Sequence, residues 1–360
     1  MRFLGAEARV EKWSGELPPS RSSRRPEPDP APGYAHRDLI VVGASAGGVE
    51  ALQRLVGGLP AELPAALCVV LHLSPSGRSL LPSILERAGR LPAAAAMDGE
   101  RPERGHIYVA PQDRHLLLAD GVLRVSAGPR ENGHRPAIDP MFRSAARGYG
   151  PRAIAVVLSG NLDDGSAGAR LVKERGGCVL AQDPADAQYS EMPRNAATLA
   201  GAHAVLPADA IAERICELVQ DPIPPEVLER SLGRDEDAEM EAAMLALDRA
   251  PTELTCPACG GSLSEQEEGS IVRFACRVGH VYSADSLVAE HGREVERALW
   301  AGLRSLEERA DLYRRMARRS SGGGAFKRRF DERSAAADRH AAELRTAISK
   351  LDAGHFEGDS

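Results

Sequence analysis

The sequence predicts an α/β protein: a doubly wound, mostly parallel sheet with a small hairpin insertion, followed by a small zinc-ribbon-like module and a helical hairpin. Three observations carry this. From Asp38 to about Val219, apolar runs alternate with helix-like segments, as in a parallel sheet covered on both faces. From Leu254 to Tyr282, cysteines and glycines cluster with a histidine. From Ser283 on, apolar residues recur at steps of three, four and seven.

Short apolar runs bounded by turn residues place strands at Leu39–Val42, Leu67–Leu71, His106–Ala110, Leu116–Leu118, Val122–Val125, Ala153–Leu158, Cys178–Ala181 and Ala204–Val205. Helical stretches fall at Gly48–Gly57, Leu80–Ala88, Asp139–Tyr149, Ser166–Arg175, Ala196–Ala200 and Ala208–Leu218. The pair Leu116–Leu118 and Val122–Val125, joined across Asp120-Gly121, reads as the inserted hairpin. Residues 1–37, with scattered charges and prolines, read as a disordered lead-in. Residues 38–220 read as one α/β domain, and 221–253 as an acidic linker carrying one amphipathic helix. The metal module spans 254–282. In the tail, 283–360, the seam Val288, Val295, Leu299, Leu303, Leu306, Ala310 and Tyr313 resumes at Ala337, Ala341, Leu344, Ile348 and Leu351, beyond the break Ser320–Gly324. This predicts an antiparallel helical hairpin or half of a dimer bundle.

Composition excludes some functions. A formal net charge of −7 argues against a general nucleic-acid binder. No apolar stretch approaches the roughly 20 residues that span a bilayer, so no membrane insertion is expected. Cys68, Cys178 and Cys216 lie in apolar or helical stretches and read as reduced core residues. With the other three clustered, cysteine usage suits a reducing cytoplasm.

The chemistry concentrates at strand ends. Ser45 ends the run Ile40-Val41-Val42-Gly43-Ala44-Ser45-Ala46-Gly47-Gly48, a strand, turn and helix fitting the G-x-S-x-G nucleophile elbow. His72 follows the strand Leu67–Leu71, and Asp164 lies in Ser159–Gly165 after Ala153–Leu158. In a parallel sheet these ends share the edge where ligands bind. Each residue also has a plainer reading. The glycines suit a phosphate-binding turn, His72 a structural hydrogen bond, and Asp164 a cap of the helix Ser166–Arg175. The order Ser, His, Asp differs from that of α/β-hydrolases.

These motifs resemble the catalytic domain of chemotaxis receptor methylesterases of the CheB type. The resemblance covers Asp38 to about Val219 and runs through Gly43–Gly48, Leu71–Pro75, Gly105–Pro111, Asp113–His115, His134–Asp139, Leu158–Gly165, Ala181–Asp183 and Met192–Arg194. It implies removal of methyl esters from receptor glutamates and deamidation of receptor glutamines. Ser45 is then the nucleophile, His72 the general base and Asp164 the carboxylate, with backbone N–H groups of Ala46 and Gly47 in the oxyanion hole. Ala46 and Asn161 stand where the family commonly has Thr and Met. Family members usually carry a receiver domain before the esterase, for which residues 1–37 are too short, so phosphorylation in cis is not expected. Arg135, Asp139, His115 and His134 belong to matched motifs, and we expect them to be structural, with Arg135 and Asp139 anchoring the helix Asp139–Tyr149.

The second constellation is Cys256 and Cys259, sixteen residues, then Cys276 and His280. Three thiolates and an imidazole on Gly-containing knuckles suit tetrahedral Zn²⁺, where a redox pair would not call for the second knuckle. Four protein ligands predict a structural site. His291, His340 and His355 read as solvated. The expected partner is a methylated, chemoreceptor-like protein substrate, with a separate regulator or self-association through the tail. A signalling scaffold retaining the esterase fold, or an esterase for another substrate, are the alternatives.

Overall fold

The computed structural model describes residues 35–72, 79–232, 251–268, 271–319 and 324–356, and residues 34–360 form one unit. Most of the lead-in and the middle of the acidic linker lie outside the described residues, as does the segment Ser320–Gly323. The elements are β1 (Leu39–Ala44), α1 (Gly48–Gly57), β2 (Ala66–Leu71), α2 (Leu81–Ala88), β3 (Ala93–Ala95), β4 (Ile107–Val109), β5 (His115–Ala119), β6 (Val122–Ser126), α3 (Ile138–Tyr149), β7 (Ala153–Val157) and α4 (Ser166–Glu174). There follow β8 (Cys178–Gln182), α5 (Glu191–Asn195), β9 (Ala204–Leu206), α6 (Ala208–Gln220), α7 (Pro225–Leu232), β10 (Pro251–Thr255), β11 (Ser262–Glu268), β12 (Ile271–Cys276), β13 (Val281–Ser283), α8 (Ala284–Arg319) and α9 (Gly324–Phe356).

Seven strands make one sheet in the order β3-β4-β2-β1-β7-β8-β9, every pair parallel. The pair β5–β6 stands apart as its own antiparallel sheet, the predicted hairpin. Every residue of β1, β2, β7 and β8 is buried, because helices cover both faces. Ile40 and Val42 join the core under α1, α2 and α6, while Leu39 and Val41 join the core under α3 and α4. Each Val, Leu or Ile so buried contributes about 1.5–3 kcal/mol. The edge strand β3 was not expected, since Ala93-Ala94-Ala95 carries no apolar alternation. Ala196–Ala200 is a π-helical turn continuing from α5.

Chain order puts β1 between β2 on one side and β7 on the other, with Ala44 opposite Leu71 and Gly43 opposite Val157. The connection after β1 runs towards β2 and that after β7 towards β8, in opposite directions, which opens the crevice where ligands bind in such sheets.

The second sheet, β10-β11-β12-β13, is antiparallel, with Leu263 opposite Cys276. It starts at Pro251, slightly before the expected boundary. Its core holds Cys256, Leu263, Cys276, Tyr282 and Leu287, the last from α8. Ile223 N–H donates to Ala35 O (2.8 Å), so the end of the predicted disordered segment is ordered.

Helices α8 and α9 pair antiparallel: Arg314 meets Asp338 (2.9 Å), and Arg345 pairs with Glu307. The predicted seam needs correction at its start. Leu303 and Ala310 are buried against α9, but Val288 is 73% exposed and Val295 52% exposed. Residues near Ile348 already lie level with Trp300 and Leu303, so little of α9 remains to cover the first turns of α8. His291 is solvated in part: its side chain is 35% exposed, with Nε2 buried.

Candidate active site

The nucleophile loop is made by Gly47, which starts α1 at φ +66°, a conformation rare for residues with a Cβ. A Cβ there would also lie 2.8 Å from Ser159 Oγ. Ser159, just past β7, ties the loop down: it accepts Ser45 N–H at its carbonyl (2.9 Å) and donates its hydroxyl to Ala46 O (2.8 Å). Adjacent strand ends thus hold Ser45 against the aspartate loop.

Ser45, His72 and Asp164 come together as the sequence predicts. Ser45 Oγ–H donates to His72 Nδ1 (3.1 Å), and His72 Nε2–H donates to Asp164 Oδ2 (2.8 Å). The His72 side chain is 6% exposed and that of Asp164 3%. Neither Ala46 nor Gly47 N–H meets an acceptor among the described residues, whereas Gly48 N–H is spent on Ser45 O (2.9 Å). The family-motif residues Leu73, Ser74 and Pro75 lie outside the described residues.

Asp164 does cap a helix, but not the one that follows it. Ile138 N–H (2.7 Å) and Asp139 N–H (3.2 Å), in the first turn of α3, both donate to its carboxylate. Asn132 Nδ2 supplies a fourth bond, to Oδ1 (2.9 Å). Burial alone would raise the carboxyl pKa; the His72 bond and charge and the Ile138 N–H outweigh it and hold Asp164 ionised. Asp139 goes the other way. Burial and the Asp164 charge push it up, to about 8, while its Oδ1 accepts Gly168 N–H (2.7 Å) and joins α3 to α4.

Sequence reasoning set His134 aside as structural, yet its ring stacks on His72, centroids 3.7 Å apart. Burial, then the neighbouring His72, depresses it to about 3, so it remains neutral. Arg135 anchors elsewhere than expected: it binds Asp113 (2.9 Å) and the carbonyls of Ala127 and Gly128, not α3. His115 Nε2–H donates to Pro129 O (2.8 Å). Asn161 is exposed. Asp163 faces away from His72 and accepts the hydroxyls of Ser283 (2.6 Å) and Ser286 (3.3 Å). Between them, Leu162 is held at φ +63° by bonds to Glu191 and Asn195. Asn132 carried no sequence signal at all.

In the second sheet, the three Sγ atoms of Cys256, Cys259 and Cys276 and a ring nitrogen of His280 lie within 4.8 Å of one another. Cys259 and Cys276 Sγ are 3.7 Å apart, and His280 Nδ1 is 3.7 Å from Cys256 Sγ and 3.5 Å from Cys276 Sγ. A tetrahedron with Zn–S of about 2.3 Å and Zn–N of about 2.0 Å has edges of about 3.5–3.8 Å. The donor set therefore fits zinc. Gly279, at φ +100°, makes the turn that returns His280 to Cys276.

A family model described as CheB methylesterase matches residues 40–215. Among curated proteins, two from Anaeromyxobacter dehalogenans, each named a protein-glutamate methylesterase/protein-glutamine glutaminase, are similar. One is 39% identical over 193 residues, covering 53% of this chain and 57% of its own length. The other is 42% identical over 202 residues, covering 53% and 59%. The chain thus spans little more than half the length of these relatives. A crystal structure of the CheB methylesterase catalytic domain of Thermotoga maritima is 35% identical, covers 51% of this chain and all of that domain, and has a TM-score of 0.49. The family match, with 39% and 42% identity to the two curated relatives, decides the assignment: through residues 40–215 this chain belongs to the CheB methylesterase family.

Proposed function

We propose that the chain is a serine hydrolase that cleaves methyl esters of glutamate side chains in a methylated, chemoreceptor-like protein, and that the same site deamidates glutamine. One observation carries this reading: the continuous hydrogen-bond chain from Ser45 through His72 to Asp164, at the carboxyl edge of the sheet. The names of the curated relatives supply both substrates.

Because Nε2–H is committed to Asp164, the Nδ1 lone pair of His72 faces Ser45. His72 takes the Ser45 proton as Oγ attacks the ester carbonyl, and Asp164 stabilises the imidazolium that forms. The oxyanion is met by the Ala46 and Gly47 N–H groups and the positive end of α1; such a donor is typically worth about 10²–10³ in rate. Collapse breaks the C–O bond, and His72 returns the proton to the departing methoxide, releasing methanol. Water then attacks the acyl-serine, with His72 again as base, and frees the carboxylate and Ser45. For glutamine the leaving group is ammonia.

Cys256, Cys259, Cys276 and His280 hold Zn²⁺ in this reading. Four protein ligands leave no open position, so the metal supplies folding free energy rather than chemistry.

Methanol release from methylated receptor membranes tests the proposal. The parent chain should release methanol and Ser45→Ala should not. Release that persists in Ser45→Ala, or is absent from the parent, refutes it.

A further inference from the structure

The loop Glu131–His134 lies between the triad and the second sheet and touches both. Towards the triad, Asn132 Nδ2 donates to Asp164 Oδ1, and His134 stacks on His72. Towards the second sheet, Asn132 N–H donates to Val281 O (2.7 Å), and its Oδ1 accepts Ser283 N–H (2.9 Å). Glu131 takes a bidentate pair from Arg143 of α3 (2.7 and 2.6 Å) and a further ion pair from Arg273 of β12. Asp163, the residue before the triad carboxylate, receives the Ser283 hydroxyl, which also accepts Ser286 N–H (3.1 Å) in the first turn of α8.

Asn132 is 1% exposed and sits at φ +51°. Both ends of its amide are used, the nitrogen on Asp164 and Asp139 and the oxygen on Ser283, so rotation about its last torsion breaks three bonds at once. A buried residue in this backbone region persists where its surroundings over-determine it. Here Val281 and Ser283 do so from outside the catalytic domain.

We propose that Asn132 is a positioning residue for the triad, and that the second sheet, docked through Val281 and Ser283, holds it in place. The catalytic domain then reaches full turnover only with that sheet docked. Without Asn132, Asp164 Oδ1 keeps only the longer bond from Asp139 N–H, and the carboxylate is free to turn away from the geometry that orients His72. The inference rests on the Ser45–His72–Asp164 reading.

Two measurements on the full chain test it. With p-nitrophenyl acetate, Asn132→Ala, which removes the bond to Asp164, and Ser283→Ala, which removes the hydroxyl that docks the second sheet on Asp163, should each lower kcat roughly 10- to 100-fold, as for loss of a hydrogen bond to a charged group. KM should stay within about twofold, since no substrate contact is removed. Ser283→Thr, which keeps the hydroxyl, should recover most of the loss. By proton NMR, the downfield His72 Nε2–H signal, assigned by its loss in His72→Gln, should broaden in both alanine variants and stay sharp in Ser45→Ala. Unchanged kcat with an unshifted, sharp signal in both alanine variants overturns the inference. Turnover surviving in Ser45→Ala overturns the esterase reading instead, and the signal still decides the positioning role.

Discussion

The imidazoles of His72 and His134 lie face to face, 7° from parallel, with centroids 3.7 Å apart. Two histidines in such contact cannot both carry charge at little cost, and it is His134 that stays neutral, depressed by burial and then by His72. In the proposed mechanism it is His72 that exchanges a proton with Ser45.

A pH dependence of stability follows. Unfolded, His134 protonates near 6.5; folded, only near about 3. Below pH 6.5 the unfolded chain binds a proton that the folded chain refuses, so stability erodes as pH falls towards 3. At pH 5 the difference is about 2 kcal/mol. Asp139 acts oppositely, gaining stability as pH falls from about 8. The test is therefore the difference between parent and His134→Gln in urea unfolding at pH 7.5 and pH 5. The variant should gain about 2 kcal/mol on the parent between them, whereas parallel pH dependences would refute the assignment.

Within the triad, Ser45→Ala and His72→Ala should each reduce ester turnover by roughly 10⁴-fold or more while leaving the unfolding midpoint near that of the parent. The double variant should be little worse than either single, because the hydrogen-bonded set acts as a unit. Additive losses would show that the two residues act separately.

Glu131 pairs with two arginines from distant elements, Arg143 of α3 and Arg273 of β12, with its own side chain 7% exposed. Glu131→Ala should destabilise by about 3 kcal/mol, because it removes the buried carboxylate shared by the two guanidinium groups. Limited proteolysis should then cut the region beyond residue 250 well before the catalytic domain. Parent-like resistance would count against this dock.

The core of the second sheet is too small to hold by burial alone, and Leu254 and Val278 are 43% and 61% exposed. Elemental analysis should find one zinc per chain, lost in Cys276→Ser. Chelation should melt this sheet and leave the catalytic domain folded. A zinc-free preparation, protease-resistant past residue 251, would refute the metal assignment.

Local pattern carried much of this protein. Buried strands such as β1 and β7 read directly as apolar runs, and α1 begins and ends at the residues expected. Ser45, His72 and Asp164 are legible because each lies in the segment that follows a buried strand, and strand ends in a parallel sheet share an edge. The proposed zinc ligands are legible because knuckle spacing is a local property. What the tertiary structure alone decided lies in the contacts between distant segments. Ser283 is 151 residues from Asn132 and 120 from Asp163, so neither bond leaves a trace in spacing or periodicity. The stacking of His134 on His72 and the capping of α3 by Asp164 are of the same kind. Periodicity reports which face of an element is buried, whereas the identity of the group across a buried contact depends on how whole elements pack.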